Sequence, residues 1–490
     1  MIGGSAARTD RFGPAKLIVA SNRGPLTVTP AEDGSDHFER GAGGLVSGIE
    51  RALSHTPSAL WICAAMSERE RSVARRAAGH GLADSGIAAA ALAGEFDVVL
   101  LPIEAHTFRQ AYNAISNSTL WFVLHMLFEP AREPLFDAQW RRQWAGYQRY
   151  TAVFTDAIAD RAAFGATVMV QDYHLFLLPG ALRAIRPDLR IGHFTHTPWV
   201  PPDYFRLLPD DVAIAIVEGM LGADVLGFHT QRWLAHFESC CQAVLGCAPK
   251  ARLAVFGLTT DGEQLLERGH RRDVRAPLRD LAESVGDCQV IGRVDRTELS
   301  KNVLRGLLAY RELLRRWPQW LGCVVHAVFD YPSREDLPHY REYTAAIERL
   351  SEEINDEFST DTWQPLILSI EQDYPAALAA LRRTDVLFIN SLRDGMNLVA
   401  FEGVVLADAD PVLVLSREAG AATLVGDAAI LINPFDISQS AQALHDALSM
   451  APEERAARAQ RLRRAATSMP PVPWFQAQLD AVNAASRGGE

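Results

Sequence analysis

Short apolar runs recur along the chain, and helical or polar sequence separates each run from the next. Runs of this length are typical of buried strands, and their alternation with helical sequence predicts βαβ units built around parallel sheets. The clearest runs are Lys16–Ser21, Ala59–Ala65, Phe96–Leu101, Thr167–Gln171, Arg190–Thr195, Asp224–Thr230, Cys288–Asp295, Gly322–Phe329, Pro365–Ile370, Asp385–Asn390 and Pro411–Ser416. We therefore predict an α/β protein whose functional residues lie at the carboxyl ends of its strands.

The chain is too long for a single hydrophobic core. Its 490 residues predict two or three domains, since a domain holds about 150 residues. The alternation stops between about residues 246 and 285, where the sequence is more polar and contains the charged run Glu267–Asp273. We place a domain boundary near residue 280, giving domains of residues 1–280 and 281–490, and allow the C-terminal helices to pack back on the first domain.

Composition excludes several classes of ligand. The net charge is −12, so no global basic field is available to hold nucleic acid or an anionic membrane. The six cysteines lack zinc-site spacing, and the sequence contains neither a secretory signal nor a long apolar span. We expect a cytoplasmic enzyme without a metal or other cofactor, which meets anionic ligands through local groups.

The segment Asn390–Glu402 holds the densest group of chemically active residues. A strand-like run leads into it and an apolar helical pattern begins at Leu398, so this turn lies at the carboxyl end of a strand. The first turn of a helix in that position presents backbone NH groups to an anion. Gly395 permits a ligand to approach the backbone closely, and Asp394 places a charge at the mouth of the crevice. Glu402 could accept a hydrogen bond from a ribose hydroxyl. A plain strand-to-helix turn with a salt bridge is the alternative.

Other strand predictions also end in polar side chains. Asp172 and His196 follow two successive runs and could be a base with its orienter, a metal pair, or ligands for sugar hydroxyls. One Asp and one His make a poor metal site, and a structural histidine is the alternative for His196. Arg296 and Lys301 flank a turn into a helix, where a planar fork and a mobile point charge suit a diphosphate. A solvated basic turn is the alternative for this pair. Arg334, another cation, follows the next strand.

The segment Leu392–Ala400, followed by Glu402, resembles the nucleotide-sugar motif of the trehalose-6-phosphate synthase family of glycosyltransferases. The resemblance runs from about residue 16 to residue 485. It implies two facing Rossmann-like domains of the glycosyltransferase B architecture, with the active site in the cleft between them. It also implies transfer of glucose from GDP-glucose or UDP-glucose to glucose 6-phosphate, with retention and without a required metal, giving trehalose 6-phosphate.

The resemblance implies roles for individual residues through the motifs that they match. The donor-binding residues would be Gly44, in the glycine-rich stretch 40–48, with Arg296, Lys301, Asp394, Gly395, Met396, Asn397, Leu398 and Glu402. The acceptor-binding residues would be Arg23, Tyr112, Trp121, Asp172 and Arg334. The catalytic residues would be His196, Asp172, Arg296, Lys301 and Asp394, with His196 touching the transferring sugar.

The sequence departs from the family pattern at several positions. Thr297–Leu299 fills the donor loop differently, Asn302 replaces a glycine, Phe401 replaces a common lysine, and Ala64 replaces a frequent tryptophan. Two other enzymes stay open: a pseudo-glycosyltransferase joining a nucleotide-activated cyclitol to a phosphorylated acceptor, and an antibiotic-pathway enzyme making another 1,1-linked sugar. A catalytically silent sugar-phosphate sensor is the third alternative. The sequence leaves both the nucleotide base and the oligomeric state open. A homo-oligomer is one of the states that it allows.

Overall fold

A computed structural model describes residues 14–31, 33–40, 46, 49–50, 53, 58–87 and 96–485. Contacts between residues divide the chain into two compact units. The first unit consists of Met1–Gly257 together with Pro471–Glu490, and the second unit consists of Leu258–Pro470. The chain thus passes from the first unit to the second and returns to the first near its C-terminus.

The position near residue 280, where we placed the domain boundary, lies within a helix of the second unit, Arg272–Val285. This helix buries Val274, Leu281 and Val285 on one face and carries charged residues on the other. A helix with one narrow apolar stripe is polar on average, which is why the stretch resembles a linker in sequence.

The strands of the first unit form one parallel sheet and a separate hairpin. The strands are β1 (Ala15–Ser21), β2 (Leu26–Pro30), β3 (Asp36–Arg40), β4 (Ala59–Ala64), β5 (Asp97–Leu101), β6 (Ala162–Gln171), β7 (Arg190–Thr195), β8 (Val225–Phe228) and β9 (Arg252–Val255). The sheet has the order β5-β4-β1-β6-β7-β8-β9, and β2 pairs with β3 in an antiparallel hairpin. Apolar side chains at the centre of the sheet, such as Ile18 and Val168, are completely buried.

The strands of the second unit form another parallel sheet. They are β10 (Gln289–Arg296), β11 (Val324–Tyr331), β12 (Leu366–Ile370), β13 (Val386–Ile389), β14 (Val412–Ser416) and β15 (Ile430–Ile432). Their order is β12-β11-β10-β13-β14-β15, and every neighbouring pair is parallel. Both sheets therefore confirm the α/β fold that the alternating sequence predicts, and they confirm the two Rossmann-like units that the resemblance implies.

The strand order reverses beside the first strand of each sheet, between β1 and β6 in the first unit and between β10 and β13 in the second. Connections leave in opposite directions at such a point, so a crevice opens outside the carboxyl ends of the two strands, where ligands bind in open α/β sheets. Most of the candidate residues follow these four strands or their immediate neighbours.

The helices alternate with the strands in both units. They are α1 (Glu68–Ala77), α2 (Ala105–Arg109), α3 (Trp121–Leu124), α4 (Ala138–Arg161), α5 (Leu178–Ile185), α6 (Pro202–Phe205), α7 (Asp210–Leu221), α8 (Gln231–Leu245), α9 (Gly262–Gly269), α10 (Arg272–Val285), α11 (Val303–Arg316), α12 (Pro338–Phe358), α13 (Tyr374–Arg382), α14 (Val399–Leu406), α15 (Ala422–Val425), α16 (Ile437–Leu448), α17 (Pro452–Ala466) and α18 (Pro471–Ala485). A π-helix spans Gln110–Leu120. Among the residues described, no helix is both long enough and apolar enough to cross a membrane.

Helix α18 completes the first unit by packing on its sheet. Trp474 is buried, and its indole nitrogen donates to the carbonyl of Phe256 at 3.0 Å. Val482 lies so close to Gly192 on β7 that a Cβ on that glycine would meet a valine methyl at 2.7 Å. A residue without a side chain is therefore needed on β7 for this helix to approach the sheet.

Candidate active site

The first unit places Arg23 at the carboxyl end of β1, where its side chain is exposed. Asn22, the preceding residue, is buried, and its amide oxygen accepts a hydrogen bond from the Tyr150 hydroxyl at 2.6 Å. The buried hydrogen bond thus fixes the end of the strand, and the exposed Arg23 side chain projects from it. Gly44, expected to bind the donor, lies outside the described residues.

Asp172 and His196 lie together at the ends of β6 and β7. The backbone NH of His196 donates to Asp172 Oδ1 at 3.1 Å, whereas the ring Nε2 lies 2.9 Å from Gln171 Oε1. The carboxylate therefore contacts the backbone of His196, whereas the imidazole contacts the Gln171 amide. Asp172 has a φ of 70°, a backbone conformation that is strained for a residue with a side chain and is common at functional sites. This arrangement suits two separate groups for sugar hydroxyls better than a base with its orienter.

His196 is a neutral imidazole in this environment. Burial lowers its pKa well below the ordinary value, and the neighbouring His229 and His193 lower it further. An uncharged ring can exchange hydrogen bonds with a sugar hydroxyl, but it supplies no positive charge to a phosphate. The Phe194 and Trp474 rings pack against it, with centroids 4.7 and 5.7 Å away, and fix its position.

The aromatic pair Tyr112 and Trp121 occupies two different environments. Tyr112 lies in the π-helix, is half-buried, and stacks between Phe108 and His174, with ring centroids 5.2 and 5.7 Å away. Trp121 is only 7% exposed and stacks closely on His125, with centroids 3.8 Å apart. π-Helical turns inside helices frequently occur at functional sites, and this one sets the spacing between the two rings.

In the second unit, Lys301 bridges two carboxylates from different strand ends. Its amine lies 3.2 Å from Asp295 Oδ1 on β10 and 2.7 Å from Asp394 Oδ2, just beyond β13. Burial alone would lower the pKa of Lys301, but the two carboxylates outweigh this effect and raise the pKa above the ordinary value. The lysine is therefore permanently charged at the switch point of the sheet.

A buried arginine supports this lysine from behind. Arg293, on β10, is completely buried and donates to Asn390 Oδ1 and to the carbonyl of Lys301, both at 2.5 Å. It also donates to Asp295 Oδ2 at 3.1 Å. Sequence analysis missed Arg293 because it stands within an apolar strand run, but a charged residue in such a run is itself a signal of a buried polar network.

Arg296 and Arg334 share one carboxylate, that of Glu298. Arg296 Nη1 lies 3.2 Å from Glu298 Oε1, and Arg334 Nη1 donates to Glu298 Oε2 at 2.8 Å. The Glu298 side chain is completely buried, whereas that of Arg296 is 49% exposed. The expected donor arginine and the expected acceptor arginine are therefore neighbours in the same unit.

The loop between β13 and α14 carries the donor motif. Asn397 has a φ of 74°, its amide nitrogen donates to Asp394 Oδ2 at 3.1 Å, and its amide oxygen accepts from the NH of Ala400 at 3.1 Å. Asparagine tolerates this left-handed conformation better than most residues. Gly395 and Met396 are buried beneath it, so the loop is a packed structural unit. Leu398 is half-buried at the start of α14.

A small cavity of about 160 Å³ opens beside these charged groups. Its walls are formed by Val294, Asp295, Arg296, Lys301, Tyr331, Tyr374, Ala377, Leu378, Leu381, Val399 and Glu402. Burial raises the pKa of Glu402 to about 7, although Lys301 acts in the opposite direction. One side of the cavity is thus charged, and the other is aromatic and apolar, as a site for a nucleoside next to a diphosphate requires.

Sequence analysis missed the two tyrosines of this cavity. Tyr331 is the last residue of β11, and Tyr374 is the first residue of α13, directly after β12. Both positions lie at the carboxyl edge of the sheet, so the same reasoning that selected Arg296 could have found them.

The unusual donor loop keeps the backbone conformation that a glycine would allow. Asn302 has a φ of 61°, and its amide nitrogen donates to the carbonyls of Asn390 and Pro434 at 2.9 and 2.8 Å. The substitution therefore preserves the turn and ties it to the segments that follow β13 and β15. Phe401 and Ala64, the other departures, are buried apolar residues of the second and first units.

No group of three or more His, Cys, Asp or Glu side chains arranged for a metal ion occurs within the described parts of the chain. The cations at the site of the second unit are Lys301, Arg296 and Arg334. A diphosphate bound there would meet fixed protein charges.

Comparison with known proteins identifies the family to which this chain belongs. The chain matches the model of glycosyltransferase family 20 over residues 15–484. It is 31% identical over 457 residues to "Alpha,alpha-trehalose-phosphate synthase [UDP-forming] 1" of Arabidopsis thaliana, covering 91% of this chain and 47% of that protein. The chain therefore spans about half the length of this plant relative.

A fungal relative is closer to the chain in length. The protein of the same description from Aspergillus fumigatus is 30% identical over 496 residues, covering 97% of this chain and 92% of the relative. The solved structure of the UDP-forming synthase of Burkholderia xenovorans, in complex with glucose 6-phosphate, is 26% identical with a TM-score of 0.78. That match covers 96% of this chain and 100% of the other. The chain therefore belongs to glycosyltransferase family 20, the trehalose-6-phosphate synthase family of glycosyltransferases.

Proposed function

We propose that this protein is an α,α-trehalose-phosphate synthase, which transfers glucose from UDP-glucose or GDP-glucose to glucose 6-phosphate with retention of configuration. The observation that carries the proposal is the charged cluster of the second unit, where Lys301 lies 2.7 Å from Asp394 and a small cavity with aromatic and apolar walls adjoins it. The UDP-forming relatives support a uridine donor, and the Burkholderia complex supports the phosphorylated acceptor. A cytoplasmic location is part of this proposal.

Bond breaking in this reaction places negative charge on the departing diphosphate. Arg296 and Lys301 would stabilise that charge, because preorganised cations act most strongly where charge develops in the transition state. The acceptor hydroxyl would attack the face from which the diphosphate leaves and pass its proton to a phosphate oxygen. The new glycosidic bond then replaces the bond to the diphosphate with the same configuration. Positioning of the two substrates supplies much of the rate acceleration.

The remaining candidate residues would orient the two substrates. On the donor side, Asp394 and the backbone from Gly395 to Leu398 would hold the glucose of the nucleotide sugar. Glu402 would accept a hydrogen bond from the ribose. On the acceptor side, the groups are Arg23, Tyr112, Trp121, Asp172 and Arg334. His196, neutral in the free protein, would contact a hydroxyl of the transferring sugar.

The proposed activity is tested by combining the purified protein with UDP-glucose or GDP-glucose and glucose 6-phosphate without added metal. We expect release of one nucleoside diphosphate and a product with the mass of a phosphorylated disaccharide, with anomeric configuration read by nuclear magnetic resonance. Binding of glucose 6-phosphate without nucleotide release from either donor would contradict the proposal. It would favour a cyclitol substrate or a sugar-phosphate sensor.

Arg334→Ala should raise the KM for glucose 6-phosphate and leave the KM for the nucleotide sugar nearly unchanged. The guanidinium contributes a charge-assisted contact to the acceptor phosphate, and loss of such a contact costs about tenfold or more in affinity. Initial-rate kinetics with glucose 6-phosphate and with unphosphorylated glucose provide the measurement. An equal loss for both acceptors would contradict this role.

Affinity for UDP-glucose should fall by up to about tenfold between pH 8 and pH 6 if only ionised Glu402 accepts from the ribose. Its pKa is raised to about 7, so the carboxylate gains a proton as the pH falls through this window. The diphosphate diester of UDP-glucose stays ionised there, so calorimetric titration reports the protein group. Glu402→Gln should bind more weakly and without this pH dependence, and a persistent slope in the variant would assign it to another residue.

A further inference from the structure

The buried carboxylate of Glu298 makes four contacts with side chains of the second unit. Oε1 accepts from the Ser333 hydroxyl at 2.8 Å and lies 3.2 Å from Arg296 Nη1. Oε2 accepts from Arg334 Nη1 at 2.8 Å and from the Tyr340 hydroxyl at 3.1 Å. Each oxygen therefore has one neutral partner and one arginine.

Glu298 remains ionised in spite of its burial. Burial acts to raise the pKa of this carboxyl, but Arg296 and Arg334 outweigh it, and the net pKa lies below the ordinary value. A buried charge of this kind is tolerated only with paired and hydrogen-bonded partners. The two arginines are thus fixed by a group that cannot move into solvent.

The turn that carries Glu298 does not depend on its side chain. The backbone NH of Thr297 donates to the carbonyl of Tyr331 at 2.8 Å, and the NH of Lys301 donates to the carbonyl of Glu298 at 2.9 Å. The main chain therefore holds the turn, and the side chain is available for another role.

Arg334 is held more firmly than Arg296. Its φ is 49°, its side chain is 9% exposed, and Nη1 also contacts the Tyr340 hydroxyl at 2.6 Å. With one edge of the guanidinium bound to Glu298 and Tyr340, the orientation of the planar group is set. A guanidinium oriented in advance loses less conformational freedom when it binds a phosphate.

We propose that Glu298 is a positioning residue that holds both phosphate-binding arginines of the second unit, Arg296 for the donor diphosphate and Arg334 for the acceptor phosphate. This inference rests on the proposed function for the identity of the two phosphates. It distinguishes Glu298 from either arginine, because each arginine serves one substrate whereas the carboxylate serves both.

The test compares Glu298→Gln with the single arginine variants, using calorimetric binding of UDP, glucose 6-phosphate and glucose. The glutamine keeps the size of the side chain and removes the charge. We expect the Kd to rise about tenfold for both UDP and glucose 6-phosphate and to change less than twofold for glucose. Arg334→Ala should weaken only glucose 6-phosphate, and Arg296→Ala should weaken only UDP. Glu335→Gln, an exposed neighbour of Arg334, is the matched control and should bind all three as wild type.

A double-mutant cycle separates positioning from general damage. In the Arg334→Ala background, Glu298→Gln should change the Kd for glucose 6-phosphate less than twofold while still weakening UDP. Full additivity for glucose 6-phosphate, tighter phosphate binding in Glu298→Gln, or an equal loss for glucose would overturn the inference. If Glu298→Gln fails to fold, Glu298→Asp, which keeps the charge on a shorter side chain, replaces it in the same comparison.

Crystal structures of the wild type and of Glu298→Gln distinguish failure of this inference from failure of the proposed function. Wild-type protein that binds neither UDP nor glucose 6-phosphate would refute the proposed function. The structures would then still show whether the guanidinium groups of Arg296 and Arg334 move when the charge of Glu298 is removed. Unchanged arginine positions would overturn the inference.

Discussion

We expect Arg296→Ala to lower the turnover number by a factor on the order of 100 or more, the scale observed when one preorganised charge stabiliser is lost. The side chain is half exposed at the carboxyl end of β10 and lies 3.2 Å from Glu298, so it is both reachable by a ligand and held in place. Steady-state kinetics at saturating donor and acceptor give the measurement. Saturating substrates are needed because a loss of ground-state binding alone does not lower the rate measured at saturation.

Arg279→Ala is the matched control for this variant. Arg279 lies in α10 of the same unit and forms an exposed ion pair with Asp280, with 2.7 Å between the charged atoms. Exposed pairs contribute at most about 1 kcal/mol to stability, so this change should leave turnover within twofold. Near-normal turnover in Arg296→Ala would refute its role in stabilising the leaving diphosphate.

Lys301→Met should destabilise the second unit by about 3 kcal/mol and should also remove most activity, since breaking a buried ion pair from one side costs about 3–5 kcal/mol. The Lys301 side chain is only 12% exposed, and that of Asp295 is 1% exposed. Without the lysine, the Asp295 and Asp394 carboxylates would face one another without their shared cation. Urea unfolding followed by tryptophan fluorescence measures the change.

Two further variants identify the cause of this loss. Adding Asp295→Asn to Lys301→Met should recover part of the stability, because it removes one of the two carboxylate charges that lose the lysine, while activity stays low. Lys250→Met, at an exposed position, should leave the unfolding midpoint unchanged. Stability equal to wild type in Lys301→Met would show that the two carboxylates do not depend on the lysine.

The choice of lysine at position 301 is itself informative. Only three of the 48 basic residues in the chain are lysines, and Lys301 is the only one in the second unit. A compact amine fits between two carboxylates 3.2 and 2.7 Å away, whereas a planar guanidinium requires more room and a fixed direction. A positive charge alone is therefore insufficient to bridge the two carboxylates, because the side chain at this position must also be compact.

Much of the donor site was predictable because parallel sheets obey simple rules. Arg296 and Asp394 follow apolar runs directly, and the carboxyl ends of parallel strands meet at one edge. The structure brings Lys301 and Asp394 within hydrogen-bond distance although 93 residues separate them. Their roles in binding and catalysis remain proposals that the variants above test.

The residues that sequence reasoning missed have partners that are distant in the chain. Glu298 contacts Tyr340, 42 residues away, and Arg293 contacts Asn390, 97 residues away. The local sequence around either residue does not indicate which distant side chains it contacts. The packing of β10 against its neighbouring strands, and not the local sequence, gives these side chains their partners.

Local periodicity and turn chemistry predicted parallel sheets, most of the alternation of strands and helices, and the strand ends at which polar groups collect. The hairpin of β2 and β3 and the elements between residues 246 and 285 were not predicted. The contact between Asp172 and the backbone of His196, and the bridge that Glu298 forms between two arginines, became visible only in the folded protein. The folded protein also shows that α18 returns to the first unit. These contacts depend on side-chain direction and on approach within about 3 Å between segments far apart in sequence, which periodicity does not encode.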